Sequence, residues 1–199
     1  MCCRYWTDES PEIRGIVGEM NRSPLMGKWR TPPVTSGEVR PADVAPVIAS
    51  SRTGSRSVYP MRWGFGGKNL LINARVETAP VRPTFREAWA AHRCIIPASC
   101  YFEWEHPADP AGKKKTGSKY RIYSKNSAVT WMCGLYRIEE GLPVFVVLTR
   151  EPGEGIRFIH DRMPLILPER LVGEWIRPEA SPEELAGEAL SNLAYEKAE

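Results

Sequence analysis

The 199-residue sequence has no apolar run of the roughly 18 to 20 residues that a membrane-spanning helix needs, and its N-terminus lacks the basic-then-apolar pattern of a secretory signal. It also has no internal repeats and no low-complexity segments. These absences argue against a helical membrane protein, a secreted precursor and a repeat array. We expect a single domain over residues 1–199, cytoplasmic and monomeric, with no membrane contact.

The common motifs of metal and phosphate sites are missing as well. There is no glycine loop that cradles phosphate, no GxSxG elbow and no HExxH helix. The five cysteines are an odd number, and the spacing of Cys94, Cys100 and Cys133 matches no common zinc site. We therefore expect reduced thiols, no metal and no cofactor.

Composition sets only broad limits on function. The chain is 42% hydrophobic and 26% charged, which is ordinary for a globular protein. A net charge of +3 and a pI near 8.6 are compatible with nucleic-acid binding but do not demand it. Eighteen prolines and sixteen glycines predict many turns and short elements.

Short apolar segments between these turns predict the fold. Ser10-Pro11 and Ser181-Pro182 each begin a helix in the expected way, and Thr84 to Glu87 fits a capping box that would start another. Residues 106–118, with Lys113-Lys114-Lys115, read as an exposed loop. Strands are predicted near residues 44–49, 58–65, 70–74, 94–97, 101–104, 120–123, 128–136 and 142–149. We expect an α+β fold with a barrel-like, mainly antiparallel β core and a few peripheral helices.

The N-terminus could carry two nucleophiles, an amine and a thiol, on one residue. The small residue after Met1 permits removal of Met1, and Cys2 would then carry a free α-amine beside its thiol. Ordinary pKa values of roughly 7.7 to 8.0 for the amine and about 8.5 for the thiol leave a usable fraction of each unprotonated near neutral pH. Together the two groups can attack one electrophilic carbon twice. A cysteine near a terminus often has no such role, so the rest of the chain must decide.

Several polar residues stand where the local pattern does not require them. Asn73 and Arg75 follow an apolar run, which places them at the end of a strand. Glu103 lies between two aromatic residues, so it is either on the solvent face of an alternating strand or a partly desolvated acid or base. His160, next to Asp161, is either an ion-paired surface histidine or a functional one.

Five segments, taken in order, span nearly the whole chain and resemble the SOS response-associated peptidase (SRAP) family. They are Cys2 with Arg4, Arg62-Trp63-Gly64, Asn73-Ala74-Arg75-Val76-Glu77-Thr78, Arg93-Cys94-Ile95-Ile96-Pro97 with Phe102-Glu103-Trp104, and His160-Asp161-Arg162-Met163-Pro164.

The resemblance implies a barrel-like α+β fold, a positively charged groove for single-stranded DNA, removal of Met1, and covalent capture of abasic sites. It implies a thiazolidine link through Cys2, which Asn73 positions. Glu103 would transfer protons, and His160 would assist sugar-ring opening and reversal of the link. The implied DNA contacts are Arg4 and Arg75 on phosphate, Trp63 stacked on bases, and Thr149 lining the site.

The sequence departs from the family pattern at three places. Cys3 stands where a glycine is usual, which adds a second thiol beside Cys2. Ser99-Cys100 replaces the usual Asp-Gly, and Gly66-Gly67 alters the stretch after Trp63. Two other functions remain open: a cysteine peptidase or amidase acting on other chains, with Cys2 as nucleophile, and a non-catalytic binder of single-stranded DNA, whose binding would be salt-sensitive and independent of Cys2.

Overall fold

The structure is a computed structural model that describes residues 2–66, 69–105 and 117–198. The predicted loop at 106–118 with its lysine triplet lies outside these ranges except for its last two residues. The strands of the described residues are, in chain order, β1 (Tyr5–Thr7), β2 (Gly37–Val39), β3 (Val44–Ser50), β4 (Arg56–Trp63), β5 (Asn73–Arg75), β6 (Arg93–Ala98), β7 (Cys100–Trp104), β8 (Lys119–Ser124), β9 (Thr130–Glu139), β10 (Leu142–Arg150), β11 (Met163–Pro164), β12 (Ile166–Leu167) and β13 (Leu193–Lys197). The α-helices are α1 (Pro11–Asn21), α2 (Arg86–Ala91), α3 (Val172–Trp175) and α4 (Pro182–Gly187), and 3-10 turns cover Met26–Lys28, Glu154–Ile156 and Glu169–Leu171.

Five strands close into a barrel in the order β10-β4-β3-β6-β9 and back to β10. The neighbours are antiparallel except for β10 and β4, which run parallel, and β10 also pairs in parallel with β5. The expected α+β fold with a barrel-like, mainly antiparallel core is confirmed. The parallel pairings were not anticipated, because they join segments about 75 to 80 residues apart and local pattern carries no information on such partners.

Alternate side chains of the barrel strands belong to two different apolar clusters. In β10, Val144, Val146 and Leu148 belong to a cluster that includes residues of all four α-helices. Phe145 and Val147, which alternate with these residues along the strand, belong to a second cluster that also contains residues of a second β-sheet. Because both faces of the barrel strands are covered, their sequences read as nearly continuous apolar runs.

The second sheet has the order β13-β8-β7-β1-β2, and all its pairings are antiparallel. Its strand β1 begins at Tyr5, which lies opposite Tyr101 of β7. The sequence did not predict β1, β2 and β13. The first two have only three residues each, and β13 follows α4, after which no further element was predicted. The sheet is nevertheless what holds residues 2–4 against the barrel.

Two of the three helix starts were predicted correctly. Ser10 Oγ accepts from the Ile13 amide at 3.5 Å, and Ser181 Oγ accepts from the Glu184 amide at 3.4 Å. The capping box at Thr84 was wrong, because α2 begins at Arg86 and Phe85 occupies the cap position with no side-chain bond. No helix within the described ranges is long and apolar enough to cross a membrane.

A buried arginine ties α2 and α3 to the barrel. Arg93, at the start of β6, is 1% exposed and lies beside the Trp175 ring. Its guanidinium donates to the backbone carbonyls of Trp89, Ala90, Trp175, Arg177 and Ala180. Carbonyls at helix C-termini have no partner within the helix and are favoured by a nearby cation, so one side chain satisfies both helix ends.

Replacing Arg93 by methionine should therefore be costly. The Arg93→Met variant leaves several buried carbonyls without a donor, at about 1 to 3 kcal/mol for each unsatisfied group, so we expect the free energy of unfolding to fall by about 3 kcal/mol or more. Urea unfolding measures this change. The matched control is Arg56→Met, which removes a half-exposed ion pair with Glu19 and should cost less than about 1 kcal/mol. Equal losses in the two variants would contradict this role of Arg93.

Candidate active site around Cys2

The Cys2 residue is held between the two sheets. It is fully buried in the second apolar cluster, together with Tyr5, Trp63 and Tyr101. Its thiol lies 3.7 Å from the Arg4 carbonyl oxygen, and Asn73 Nδ2 donates a 2.8 Å hydrogen bond to the Cys2 carbonyl. The N-terminal segment is thus fixed from both sides, by β1 in the second sheet and by the Asn73 amide at the barrel.

The position of Asn73 follows from strand register. It is the first residue of β5 and lies opposite Val147 of β10. The short strand continues through Ala74 to Arg75, whose partner is Thr149. Because side chains alternate along a strand, Asn73 and Arg75 share one face, as expected of two residues at the end of an apolar run.

Glu103 is a buried carboxyl, which excludes a position on the solvent face of an alternating strand. It is 3% exposed and lies in β7 opposite Tyr120. Burial raises the pKa of the Glu103 carboxyl, and repulsion from Asp161 raises it further. The group therefore keeps a proton at higher pH than an exposed glutamate does, which suits an acid or base in proton transfer.

The Cys2 thiol departs from the expectation for an ordinary thiol. Burial raises its pKa well above the usual value, and the nearby Glu103 and Cys3 side chains add to the effect. The buried thiol thus favours its protonated form in this structure, whereas the expected thiolate fraction refers to Cys2 after the loss of Met1 and stays a prediction. A thiol in this setting becomes a nucleophile only when a neighbouring group takes its proton.

Two neighbours of His160 require opposite protonation states of its Nδ1 nitrogen. Its Nδ1 lies 2.7 Å from an Asp161 carboxylate oxygen and 3.0 Å from the Arg162 amide nitrogen, which donates to it. Nδ1 can accept from the amide only when it carries no proton, and can bond to the carboxylate only when it does. His160 is 11% exposed and Asp161 86% exposed, so the carboxylate partner of this nitrogen is open to solvent.

Three of the four predicted catalytic residues lie together, and the fourth, His160, is next in the chain to a residue near Glu103. Asn73 bonds to Cys2, Glu103 is close enough to Cys2 to raise the pKa of its thiol, and Asp161, beside His160 in the chain, acts in the same way on Glu103. These residues come from the N-terminus, β5, β7 and the turn before β11, so the site forms only when the two sheets pack together.

Of the predicted DNA-contacting residues, the two arginines have access to solvent. Arg4 is 37% exposed, pairs with Glu38 at 3.0 Å and lies over the Trp104 ring at 5.6 Å. Arg75 is exposed and lines an open cleft of about 380 Å³. The other residues lining this cleft are Glu151, Pro152, Arg157, Asp161 and Arg162.

Trp63 and Thr149 are both fully buried, which corrects their expected roles as direct DNA contacts. The Trp63 ring stacks on Phe145 and its Nε1 donates to the Ile72 carbonyl at 2.9 Å, so it has no free face for a base. Thr149 Oγ1 donates to the Ala74 carbonyl at 3.3 Å. The Thr149 carbonyl accepts from Arg162 Nη2 at 2.7 Å, so Thr149 positions Arg162 instead of touching a ligand.

Sequence reasoning missed part of the surface around the site. Lys119 lies over the Phe102 ring at 4.1 Å and over the Trp104 ring at 5.7 Å. The alternation Phe102-Glu103-Trp104 was the available signal, since it places both aromatic rings on the face opposite Glu103. Arg162 was also missed as a functional residue; both its terminal nitrogens bond to the Glu77 carboxylate, at 2.8 and 2.9 Å.

The cysteines and the other possible metal ligands do not form a metal cluster within residues 2–66, 69–105 and 117–198. All five cysteines are free thiols, and Cys3 is the one that is not buried.

The comparisons with known proteins agree on one family. The sequence model described as SOS response associated peptidase (SRAP) matches residues 1–199. The chain is 36% identical over 170 residues to "Abasic site processing protein YoaM" of Bacillus subtilis (strain 168), covering 75% of this chain and 72% of that protein. It is 33% identical over 153 residues to "Abasic site processing protein YedK" of Escherichia coli (strain K12), covering 73% and 66%. Among solved structures, a protein from Bacteroides thetaiotaomicron has the same fold, with a TM-score of 0.75 at 22% identity over 100% of this chain and 92% of that one.

The fold and these matches define the class of protein: a mixed five-stranded barrel with a second sheet, and a buried cysteine at position 2. The chain belongs to the SOS response associated peptidase (SRAP) family.

The buried Glu103 carboxyl predicts a pH-dependent change in stability. Below the ordinary glutamate pKa of about 4.3 the group is protonated in both states. As the pH rises, the unfolded chain releases this proton first, so ionisation of Glu103 lowers the free energy of unfolding up to the raised folded pKa. The uncharged Glu103→Gln variant should therefore unfold at a higher urea concentration than the parent at pH 7, with a difference that shrinks toward pH 4.

The matched control is Glu174→Gln in α3, where the residue is exposed and the substitution should leave the urea midpoint almost unchanged at each pH. A Glu103→Gln variant that is less stable than the parent at pH 7 would contradict the assignment of Glu103 as a desolvated carboxyl.

Proposed function

We propose that this protein captures abasic sites in single-stranded DNA covalently through Cys2, after removal of Met1, as part of the response to DNA damage. The relatives at 36% and 33% identity are named as abasic site processing proteins. The observation that carries the proposal is the arrangement at Cys2, whose carbonyl is held by Asn73 at 2.8 Å beside the buried Glu103 carboxyl.

The chemistry uses the two nucleophiles of an N-terminal cysteine. An abasic deoxyribose in its open form carries an aldehyde at C1′. The Cys2 amine adds to this carbon and water leaves, which gives an imine. The Cys2 sulfur then bonds to the same carbon and the thiol proton passes to nitrogen, which closes a thiazolidine ring. Ring closure stabilises the adduct because an open imine hydrolyses readily.

The raised pKa of the Cys2 thiol gives these steps an order. A protonated, buried thiol is a weak nucleophile, so the amine attacks first and the sulfur follows once the carbon is already bonded to nitrogen. Glu103 takes a proton from the amine and delivers one to the departing oxygen, which a carboxyl with a raised pKa can do near neutral pH.

His160 is proposed to assist opening of the sugar ring and, in a lyase-like direction, reversal of the link. Both steps move a proton on or off an oxygen or nitrogen of the adduct. The opposed contacts of Nδ1 with Asp161 and the Arg162 amide support this role, because they stabilise the protonated and unprotonated forms in turn.

Arg4 and Arg75 are proposed to contact DNA phosphates. The cleft beside Arg75 also holds Arg157 and Arg162, which pair with Glu154 and Glu77. We propose that the protein works as a single-domain monomer in the cytoplasm, associated with the nucleoid when it is bound to DNA.

The peptidase activity in the family description is proposed to be the release of Met1 by the protein itself. Repeated cleavage of other chains is a weaker candidate, since Cys2 is fully buried and the peptide bond of a second chain has no access to its thiol. A peptide library would separate the two: repeated release of product indicates a general peptidase, and intact-mass measurement that finds only the loss of Met1 indicates a single self-cleavage.

The Cys2→Ala variant tests the covalent chemistry. It has no sulfur to close the ring, and intact-mass measurement first selects variant protein that has lost Met1 and so carries the free amine of residue 2. The parent should form an adduct with an abasic single-stranded oligonucleotide that survives heat and a denaturing gel. Cys2→Ala should lose this stable adduct but still give a covalent product when cyanoborohydride reduces the imine.

The matched control is Cys3→Ala, which removes the neighbouring, partly exposed thiol and should retain the stable adduct. The proposal is contradicted if Cys2→Ala forms as much stable adduct as the parent without reductant, or if Met1 remains on the purified parent protein.

A further inference from the structure

Three aromatic side chains form an open cluster beside the candidate active site. Phe158 and Tyr195 are 48% and 45% exposed, and their ring centroids lie 5.3 Å apart at an interplanar angle of 67°. Both rings pack edge-on against Tyr120, at 5.6 and 5.9 Å, and Tyr120 itself is only 7% exposed. We refer to Tyr120, Phe158 and Tyr195 as the aromatic platform.

Strand register places this platform next to Glu103. Tyr120 lies directly opposite Glu103 in the β7–β8 ladder, and facing residues of antiparallel strands project to the same side with Cβ atoms roughly 4.5 to 5.5 Å apart. Phe158 comes two residues before His160, and Asp161 is close enough to Glu103 to raise the pKa of its carboxyl. The platform therefore borders the candidate site at Glu103.

Nearly half of the Phe158 and Tyr195 side chains is exposed, which suggests a role other than packing in the core. Single exposed apolar residues are normal on a protein surface, but contiguous ones beside a polar site often mark a binding surface. The nearly perpendicular contacts of Phe158 and Tyr195 with Tyr120 fix their orientation while nearly half of each side chain stays open to solvent. Rigid, half-exposed rings suit a planar ligand that stacks on them.

Basic residues flank the platform on two sides. Arg157 precedes Phe158, pairs with Glu154 at 3.0 Å and lines a cleft that holds three arginines and two acidic residues. Lys197 is exposed and lies opposite Tyr120 in the β8–β13 ladder. The nearby Glu196 is paired with Arg121 at 3.1 Å. A ligand with flat aromatic groups on a negatively charged backbone fits this combination, and single-stranded nucleic acids are bound in this way, by stacking platforms within basic grooves.

We infer that the aromatic platform stacks an unpaired base next to the abasic nucleotide while Cys2 reacts with that nucleotide. This inference rests on the proposed function, because it assigns the neighbouring base of the same substrate. A base in a duplex is already stacked on both faces, so the platform gives preference to single-stranded DNA flanking the lesion. It also supplies the base contact that the buried Trp63 cannot make.

The test uses Phe158→Leu and Tyr195→Leu in the full chain. The ligand is a fluorescent single-stranded oligonucleotide with one tetrahydrofuran residue, which lacks the aldehyde and cannot be captured, so anisotropy reports binding alone. Loss of one stacked base should weaken binding roughly 5- to 150-fold. Phe158→Trp, which keeps a ring, should bind like the parent, and so should the control Ile138→Ala, an exposed apolar residue of β9.

Changing the DNA identifies the stacked base. In two further oligonucleotides a second tetrahydrofuran replaces the base on the 5′ or the 3′ side of the first. The parent should lose affinity for one of them, and Phe158→Leu should show no additional loss for that one, because ring and base then contribute a single shared interaction. Binding to duplex DNA with the same lesion should be unaffected by the substitution.

The inference is overturned if both leucine variants, shown to be folded by circular dichroism, bind the single-stranded ligand as the parent does. It is also overturned if their loss is equal for single-stranded and duplex DNA. Tyr195 lies on the edge strand β13, so its variant keeps the test available if Phe158→Leu does not fold. Failure of the proposed function would look different: the parent would form no adduct with an aldehydic abasic site, whatever the anisotropy shows.

Discussion

The candidate site depends on one hydrogen bond, from the Asn73 amide to the Cys2 carbonyl. Asn73 can make this bond only because β5 runs parallel to β10 in the register that places Asn73 opposite Val147. A shift of one residue along β10 would turn the Asn73 side chain to the other face of the sheet. The second sheet completes the arrangement by holding Tyr5 against Tyr101. A terminal segment, normally the most mobile part of a chain, is thereby fixed within the core.

Burial determines which protonation states the groups around Cys2 favour. The same desolvation raises the pKa of the Cys2 thiol and of the Glu103 carboxyl, and the Glu103 charge raises the pKa of the Cys2 thiol further. The resting site thus favours protonated groups over a thiolate. That state is poorly suited to repeated acyl transfer and well suited to an ordered reaction that starts at the amine. Any general peptidase activity would require this environment to change.

The surface around the site combines cations with aromatic rings on both faces of β7. Arg4 and Lys119 lie over Phe102 and Trp104 on one face, whereas the platform of Tyr120, Phe158 and Tyr195 borders Glu103 on the other. Positive charge beside flat apolar rings matches the two parts of a nucleotide, its phosphate and its base. The buried Trp63 instead contributes to the core through Phe145 and Tyr5.

The sequence by itself determined the longer strands, the cap serines of α1 and α4 and the α+β class, because these depend on local periodicity and turn chemistry. The set of candidate residues came from the resemblance of five ordered segments to a known family. Only the tertiary structure decided the parallel partners of β10, the three short or terminal strands β1, β2 and β13, the burial of Trp63 and Thr149, and the raised pKa of the Cys2 thiol. Strand partners and burial result from contacts between residues far apart in the chain. The pKa of a side chain depends on the solvent and charges that those contacts leave around it.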